Sequence, residues 1–358
     1  MASRRSFRTL VVLSSIVAII TAALGAAGSA RAAVVAPSAG HGFAQGGATL
    51  FLSAADLNRE LDAVAKTDAR WLRVGIDWSS IEPTKGTYNW SNPDQVINAA
   101  RAHHLQILSL VTTTPTWARR AAAPGALGMY APPSDPATLG AFMKKFVERY
   151  PDITHHEIWN EPNLPAFWGF APANPSEYTN VLKAAYTAIK QVQPDSTVVA
   201  AGMSPQAGAA DFYIKMYAAG AKNYFDATAM HAYVFPGGIG KTPNGWTETQ
   251  QIRAVMVAHG DAAKKIWLTE MGAPTIPEGA SASTGSVGFG VNEMVTQQQQ
   301  ATQIVDVLRA AADSGYCGPA FIYSVRDWGT SATNREDNFG ALLTHDWKPK
   351  ITASILAR

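Results

Sequence analysis

Eight short apolar runs, each followed by a longer amphipathic stretch, constrain the fold of this chain more than any other feature. The runs cover residues 40–43, 71–76, 105–111, 156–159, 197–201, 227–232, 266–269 and 320–324. Runs this short and this uniformly apolar suit parallel strands buried on both faces, and the longer stretches suit the crossover helices that parallel strands require. Eight such units in unbroken order predict an α/β fold, a single-domain (β/α)8 TIM barrel. The helices carry start signals. Ser53 stands three residues before Asp56, with Leu57, Leu61, Val64 and Ala65 on one face. Asn92-Pro93, Asp135-Pro136 and Asn174-Pro175 each place a capping side chain before a proline at the first helical position. Leu139, Phe142, Met143, Phe146 and Tyr150 form one apolar stripe, and Ile304, Val305 and Leu308 mark another helix over 296–312. The Gly/Ser-rich stretch 278–290 is followed by a further helix and strand of the series, so it reads as a mouth loop and not as a linker.

In such barrels the active site forms just past the C-terminal ends of the strands. Two glutamates meet that condition: Glu161, after the fourth run in Trp159-Asn160-Glu161-Pro162-Asn163, and Glu270, closing the seventh in Trp267-Leu268-Thr269-Glu270-Met271. Strands four and seven lie across the barrel from one another, so side chains at their ends can converge over its mouth. Cleaving a glycosidic bond with retention needs such a pair, one acid to protonate the leaving oxygen and one carboxylate to attack the anomeric carbon, about 5 to 5.5 Å apart.

The Trp159-Asn160-Glu161-Pro162 motif after strand four, with a glutamate closing strand seven, resembles the clan A glycoside hydrolases over essentially all of residues 33–358. Together with Arg73-Val74-Gly75-Ile76-Asp77-Trp78 it is most similar to family 39-like enzymes, with family 5 cellulase-like enzymes second. The resemblance implies Glu161 as acid/base, Glu270 as nucleophile, Asn160 as donor to the sugar 2-hydroxyl, Arg73 and Tyr233 as donors to the nucleophile, and Trp328 as the aromatic platform beneath the sugar. It also implies β-like linkages. Physical chemistry supports each role. A protonated Glu161 calls for a less polar setting, supplied by Trp159 and Trp168, whereas an ionised Glu270 calls for nearby donors. An arginine inside a barrel needs a partner; Glu270 suits, and Asp77 or Glu82 is the structural alternative.

His231 and Tyr233 share a face at the end of the sixth run. His231 either lines the sugar pocket or is a structural histidine, and Trp328 is either the platform or a core residue. Trp117, Tyr130, Phe167, Trp168 and Trp246 in the mouth loops suit sugar stacking, and His41 in the first run is a further candidate contact. Glu157, four residues before the acid/base, reads as structural. His103-His104 and His155-His156 are poor chelators, since adjacent strand residues face opposite ways and His103 and His104 also end a helix, where a donor group suits the dipole without any ligand role, so no metal and no cofactor is expected. Gly237-Gly238-Ile239-Gly240-Lys241 lacks the spacing of a phosphate-binding loop.

Arg4, Arg5 and Arg8 precede an uncharged apolar stretch over 10–27 and the small-residue signal Ala30-Arg31-Ala32, so residues 1–32 read as a secretory signal peptide, with an uncleaved anchor as the alternative. Ser3-Arg4-Arg5-Ser6-Phe7 also resembles a twin-arginine signal. Cleavage would leave 326 of 358 residues and, by removing four arginines and no acid, take the formal charge from +2 to −2. A near-neutral chain gives no electrostatic case for nucleic acid or a membrane surface. The single cysteine, Cys317, cannot form an internal disulfide and should be a buried thiol. The expectation is a secreted, monomeric retaining glycosidase that acts on a neutral polysaccharide or oligosaccharide. A transglycosylase on the same site and a noncatalytic carbohydrate-binding barrel are the alternatives.

Overall fold

The structure, a computed structural model, describes residues 34–121, 126–281, 286–287, 290–291 and 293–358. The expected leader lies outside the described residues, as does part of the 278–290 loop.

Eight parallel strands close into a barrel: β1 His41–Ala44, β2 Trp71–Asp77, β3 Gln106–Thr112, β4 His155–Asn160, β5 Thr197–Met203, β6 Ala227–His231, β7 Lys265–Met271 and β8 Cys317–Tyr323. Each pairs with its neighbours in the chain, and β8 pairs with β1 to complete the ring. All eight apolar runs became strands, with ends within a few residues of expectation.

The helix signals acted mostly as read. Ser53 accepts from the Asp56 N–H, Asp135 from Ala137 and Asn174 from Glu177. Thr296 and Gln299 form a reciprocal capping box at the start of Gln297–Ser314. The exception is Asn92: that helix spans Ser91–Ala102 with Trp90 at its cap and no capping side chain. Pro93 still falls in the first turn, where its missing N–H costs no helical bond, so the helix could start earlier than the Asn-Pro pair suggests.

Two apolar layers result. The larger lies between strands and helices and includes Phe43, Leu72, Val74, Ile76, Phe142, Ile158 and Leu268. The smaller fills the barrel interior with Ala44, Trp71, Leu108, Val199, Ala227, Ala229, Trp267 and Phe321, against which Tyr323 packs. At the lower end the Trp71 ring meets Trp267, Phe321 and His155 edge to face, with Trp71–His155 centroids 4.9 Å apart, and Trp267 stacks on Phe321. His156, the next residue, faces outward to Ser109 and Gln193, as strand alternation requires. Cys317 is buried, and burial pushes its thiol up to about 11.

Candidate active site

A charged network sits one step above this aromatic plug. Arg73 points into the barrel from β2 and is 1% exposed. It donates through Nε to Glu157 at 2.6 Å, through one terminal nitrogen to Glu270 at 2.6 Å, and through the other to Asn160 Oδ1 at 2.9 Å. Burial disfavours its charge, but Glu157 and Glu270 outweigh that and raise its proton affinity. Asp77 and Glu82, the alternative partners, are engaged elsewhere: Asp77 caps the turn at Ser79–Ser80 and accepts from Thr113, and Glu82 accepts from the Trp78 indole and Gly86. Glu157 is therefore a member of the site's network. It is fully buried, and its second oxygen accepts from Thr269 Oγ1 and the Gly202 N–H.

Strict alternation would not bring both Asn160 and Glu161 to the mouth. The chain breaks alternation at Trp159, a non-glycine residue with φ of 75°, and Glu161 itself has φ of 42°. Such conformations are costly and persist where the surroundings enforce them. The surroundings here are explicit. The Trp159 indole is fully buried, donates to the Phe167 carbonyl and packs edge-on against Trp168. The Glu161 N–H binds Gly202 O, and Asn163 exchanges two hydrogen bonds with Ser204. On β7 a comparable irregularity, a shift in register against both neighbours, lets Thr269 and Glu270 both face inward.

The two glutamates meet at His231. Its Nδ1 lies 2.8 Å from Glu161 Oε1 and 3.4 Å from Glu270 Oε2. One nitrogen touches both, so these oxygens are no farther apart than the two distances laid end to end, about 6.2 Å. Tyr233 donates to Glu270 Oε2 at 2.7 Å. Burial pushes the Glu270 pKa up, but the charges on His231 and Arg73 and the hydrogen bonds from Tyr233 and Arg73 prevail and hold it below the usual value of 4.5. Burial likewise opposes a charge on His231, yet the nearby Glu270 and Glu161 carboxylates raise its proton affinity. Burial and then Glu270 raise Tyr233 well above the ordinary phenol range, so it is a donor at any working pH.

The structure thus brings Glu161, Glu270, Asn160, Arg73, His231 and Tyr233 into one cluster. Three other expected contacts need correction. His41 begins its strand at the opposite end of the barrel; Ala44 faces the interior, so His41 faces out towards Asp68 and Arg70, and burial lowers its pKa to about 4. Trp168 is fully buried, with its indole N–H on Glu177 and its ring against Trp159 and Tyr178, so it supports the loop from behind and offers no sugar platform. Trp117 is half-buried, donates to the Glu82 carbonyl and packs on Trp78, joining two mouth loops. Trp328 is 42% exposed in the loop after β8, as a stacking surface would be and a core residue would not.

Two residues near the glutamates escaped the sequence reading. Tyr323 ends β8 on the inward face, two residues after Phe321; burial and then the charges of Glu270, Glu336 and Glu161 raise its pKa. Counting back in twos from the strand end would have found it. Glu336, in the loop after β8, is raised by burial and by Glu161 and Glu270, against Arg335. No periodicity marks that position.

No protein-family model matches the chain, and no curated protein sequence does. Solved structures do match in fold. A family 39 glycoside hydrolase from Bacteroides cellulosilyticus WH2 is similar with a TM-score of 0.67 and 21% identity, over 90% of this chain and 64% of that one. A monomeric β-xylosidase from Caulobacter crescentus CB15 gives 0.63 at 16% identity, over 91% and 69%. An exo-β-1,4-mannosidase from Opitutaceae bacterium strain TAV5 gives 0.61 at 14% identity, over 90% and 58%. This chain spans less than two thirds of the first and third of these. The shared element is the (β/α)8 barrel, and these neighbours are glycoside hydrolases.

Proposed function

We propose that this chain is a retaining glycoside hydrolase, family 39-like in its site, that cleaves a neutral, β-linked glycan. The observation that carries the reading is the single imidazole nitrogen in contact with both Glu161 and Glu270. It bounds one pair of their oxygens at about 6.2 Å, a spacing that accommodates the roughly 5 to 5.5 Å between the carboxyl groups of a retaining pair.

The chemistry follows from the surroundings. Glu270, ionised and aimed by Arg73 and Tyr233, attacks the anomeric carbon as the bond from that carbon to the leaving oxygen breaks, and Glu161 delivers its proton to that oxygen. A water then attacks the same carbon, gives its proton to Glu161, and the ester bond to Glu270 breaks. Asn160 has committed its carbonyl to Arg73, so its amide N–H is what it can offer the 2-hydroxyl. Trp328 and Tyr323 supply aromatic surface. Export by the leader over 1–32 and a monomeric state complete the proposal; N-terminal sequencing of the mature protein and its size in solution test them.

The deciding experiment is a panel of chromogenic β-glycosides, xylosides and mannosides among them, with product anomers followed by NMR in the first minutes. Retention at the anomeric carbon, with an activated fluorosugar labelling Glu270, is the expected result. Inversion, or label on another carboxylate, would overturn the assignment. Sugar-to-sugar products in place of free sugar would make the enzyme a transglycosylase on the same residues.

A further inference from the structure

Trp328, the exposed ring after β8, is held through its backbone. Among the described residues no ring stacks on its indole and no side chain hydrogen-bonds it, while its N–H is bound to the Asp337 carbonyl at 2.8 Å. The two residues before it are instead tied by their side chains, each to a different part of the chain. Arg326 donates through Nε to Glu60 on the helix Ala54–Ala65 at 2.8 Å. Glu60 also accepts from Gln45, whose own side-chain oxygen takes the Val325 N–H at 3.1 Å. Asp327 is bound by Lys350, near the C-terminus, whose Nζ lies 3.1 and 3.2 Å from its two oxygens. The same ammonium donates to Thr275 Oγ1, in the loop after β7, at 2.6 Å and to the Gly340 carbonyl.

These pairs are nearly dry. The Lys350 side chain is fully buried, and those of Glu60 and Asp327 are 4% and 8% exposed. Burial opposes the charge on each of the three. A buried pair adds little net stability over an apolar contact of the same shape, whereas moving one member away from the other is costly. What such a pair supplies is a fixed position. Residues 325–327 cannot shift without stranding a charge, so the ring that follows them is presented to the mouth in one place. Lys350 adds a second constraint. Through Thr275 it ties this stem to the loop that leaves β7, the strand that carries Glu270.

We propose that Lys350 is a positioning residue for substrate binding: by joining Asp327 of the β8 loop to Thr275 of the β7 loop, it holds the Trp328 ring at a fixed place relative to Glu270. The proposal rests on the glycosidase reading above, in which Trp328 offers the sugar its aromatic surface. Lys350 touches neither the sugar nor the reacting atoms, and no proton passes through it.

The test is a double-mutant cycle, read by steady-state kinetics on the β-glycoside that the wild type turns over. Trp328→Ala should raise KM about tenfold. Lys350→Met keeps the length of the side chain and loses the ammonium; KM should rise about five- to tenfold while kcat falls less than about twofold. In the Trp328→Ala background the same Lys350→Met change should move KM by less than about twofold, because the ring it positions is gone. Asp327→Asn is the gentler second variant. Its amide oxygen can still accept from Lys350, so KM should rise about two- to threefold, again only when Trp328 is present. KM penalties of Lys350→Met and Asp327→Asn that are as large without Trp328 as with it would mean a purely structural pair and overturn the proposal. So would an unmoved KM in a Lys350→Met variant with native circular dichroism, or equal losses in kcat and kcat/KM. If Lys350→Met does not fold, the Asp327→Asn arm decides alone. Failure of the wild type to turn over any glycoside refutes the glycosidase reading itself; turnover with KM sensitive to Trp328 but not to Lys350 removes only the role of Lys350.

Discussion

The two ends of the barrel interior are built from the same strands two residues apart, yet they have opposite characters. At the lower end Trp71, His155, Trp267 and Phe321 interlock as an aromatic plug. One step up, about 6.6 Å along each strand, the same faces carry Arg73, Glu157, Thr269 and Tyr323. The plug gains free energy from burying large rings and asks nothing of its neighbours except shape. The network above confines charged groups that are tolerable only because each is paired and hydrogen-bonded, and Arg73 is held twice, by Glu157 as well as by Glu270. Close contact serves both ends through a missing Cβ. Gly318 lets the Trp267 indole lie flat against β8, where a Cβ would stand 2.6 Å away, and Gly202 does the same for the His231 ring. The lower end secures the fold, and the upper end depends on that security to hold strained and charged groups in place.

Changing one residue at each end should separate the two roles. Glu270→Gln keeps volume and removes the nucleophile's charge; turnover should fall by about four orders of magnitude or more, while the thermal midpoint moves little. Trp267→Ala should do the reverse. It opens a cavity in the plug and should cost about 3 to 5 kcal/mol of stability, measured by urea titration, with kcat of the folded fraction close to wild type. If Trp267→Ala loses kcat as heavily as it loses stability, the two layers are coupled and the division drawn here is wrong.

The plug and the barrel were more legible in the sequence than the network, for physical reasons. A parallel strand buried on both faces leaves a dense apolar run, and eight of them in order leave little choice of fold. Glu161 and Glu270 were legible because they close such runs. Period-two logic then fails where it matters most: Trp159, with positive φ, brings Asn160 and Glu161 to the mouth together, and the irregular register of β7 does so for Thr269 and Glu270. Neither deviation follows from residue type. Glu157 reads as structural in sequence because its importance is a contact with Arg73, 84 residues away. His41 misled because it lies in an apolar run, although at the wrong end of it.

A subtler probe of the upper end is Gly202→Ala. The added methyl would stand 2.3 Å from His231 Nε2 and 2.5 Å from Thr269 Oγ1, so the imidazole must move off both glutamates. A displacement of about 1 Å at such a site is worth on the order of a hundredfold in kcat, with a smaller cost in stability from overpacking, about 1 to 3 kcal/mol. Steady-state kinetics beside a denaturation curve reads both. A loss of stability without loss of rate would show that His231 tolerates displacement and that its contacts are incidental.

The smallest expected effect sharpens the comparison most, because it concerns a single hydrogen bond. Glu270 must be ionised to attack, and its surroundings hold its pKa below 4.5. Activity is therefore lost only as pH falls through that lowered value, and the acid limb of kcat/KM should lie below pH 4.5 in the wild type. Tyr233→Phe removes the 2.7 Å donor to Oε2 but leaves Arg73 on Oε1. Losing a donor to the charged form raises a carboxyl pKa, so the limb should move up by about half to one pH unit, equivalent to about 1 kcal/mol. The plateau above the limb should fall only modestly. A limb that stays in place would assign the whole depression to the positive charges of Arg73 and His231, and would leave Tyr233 as a wall of the site instead of a determinant of its ionisation.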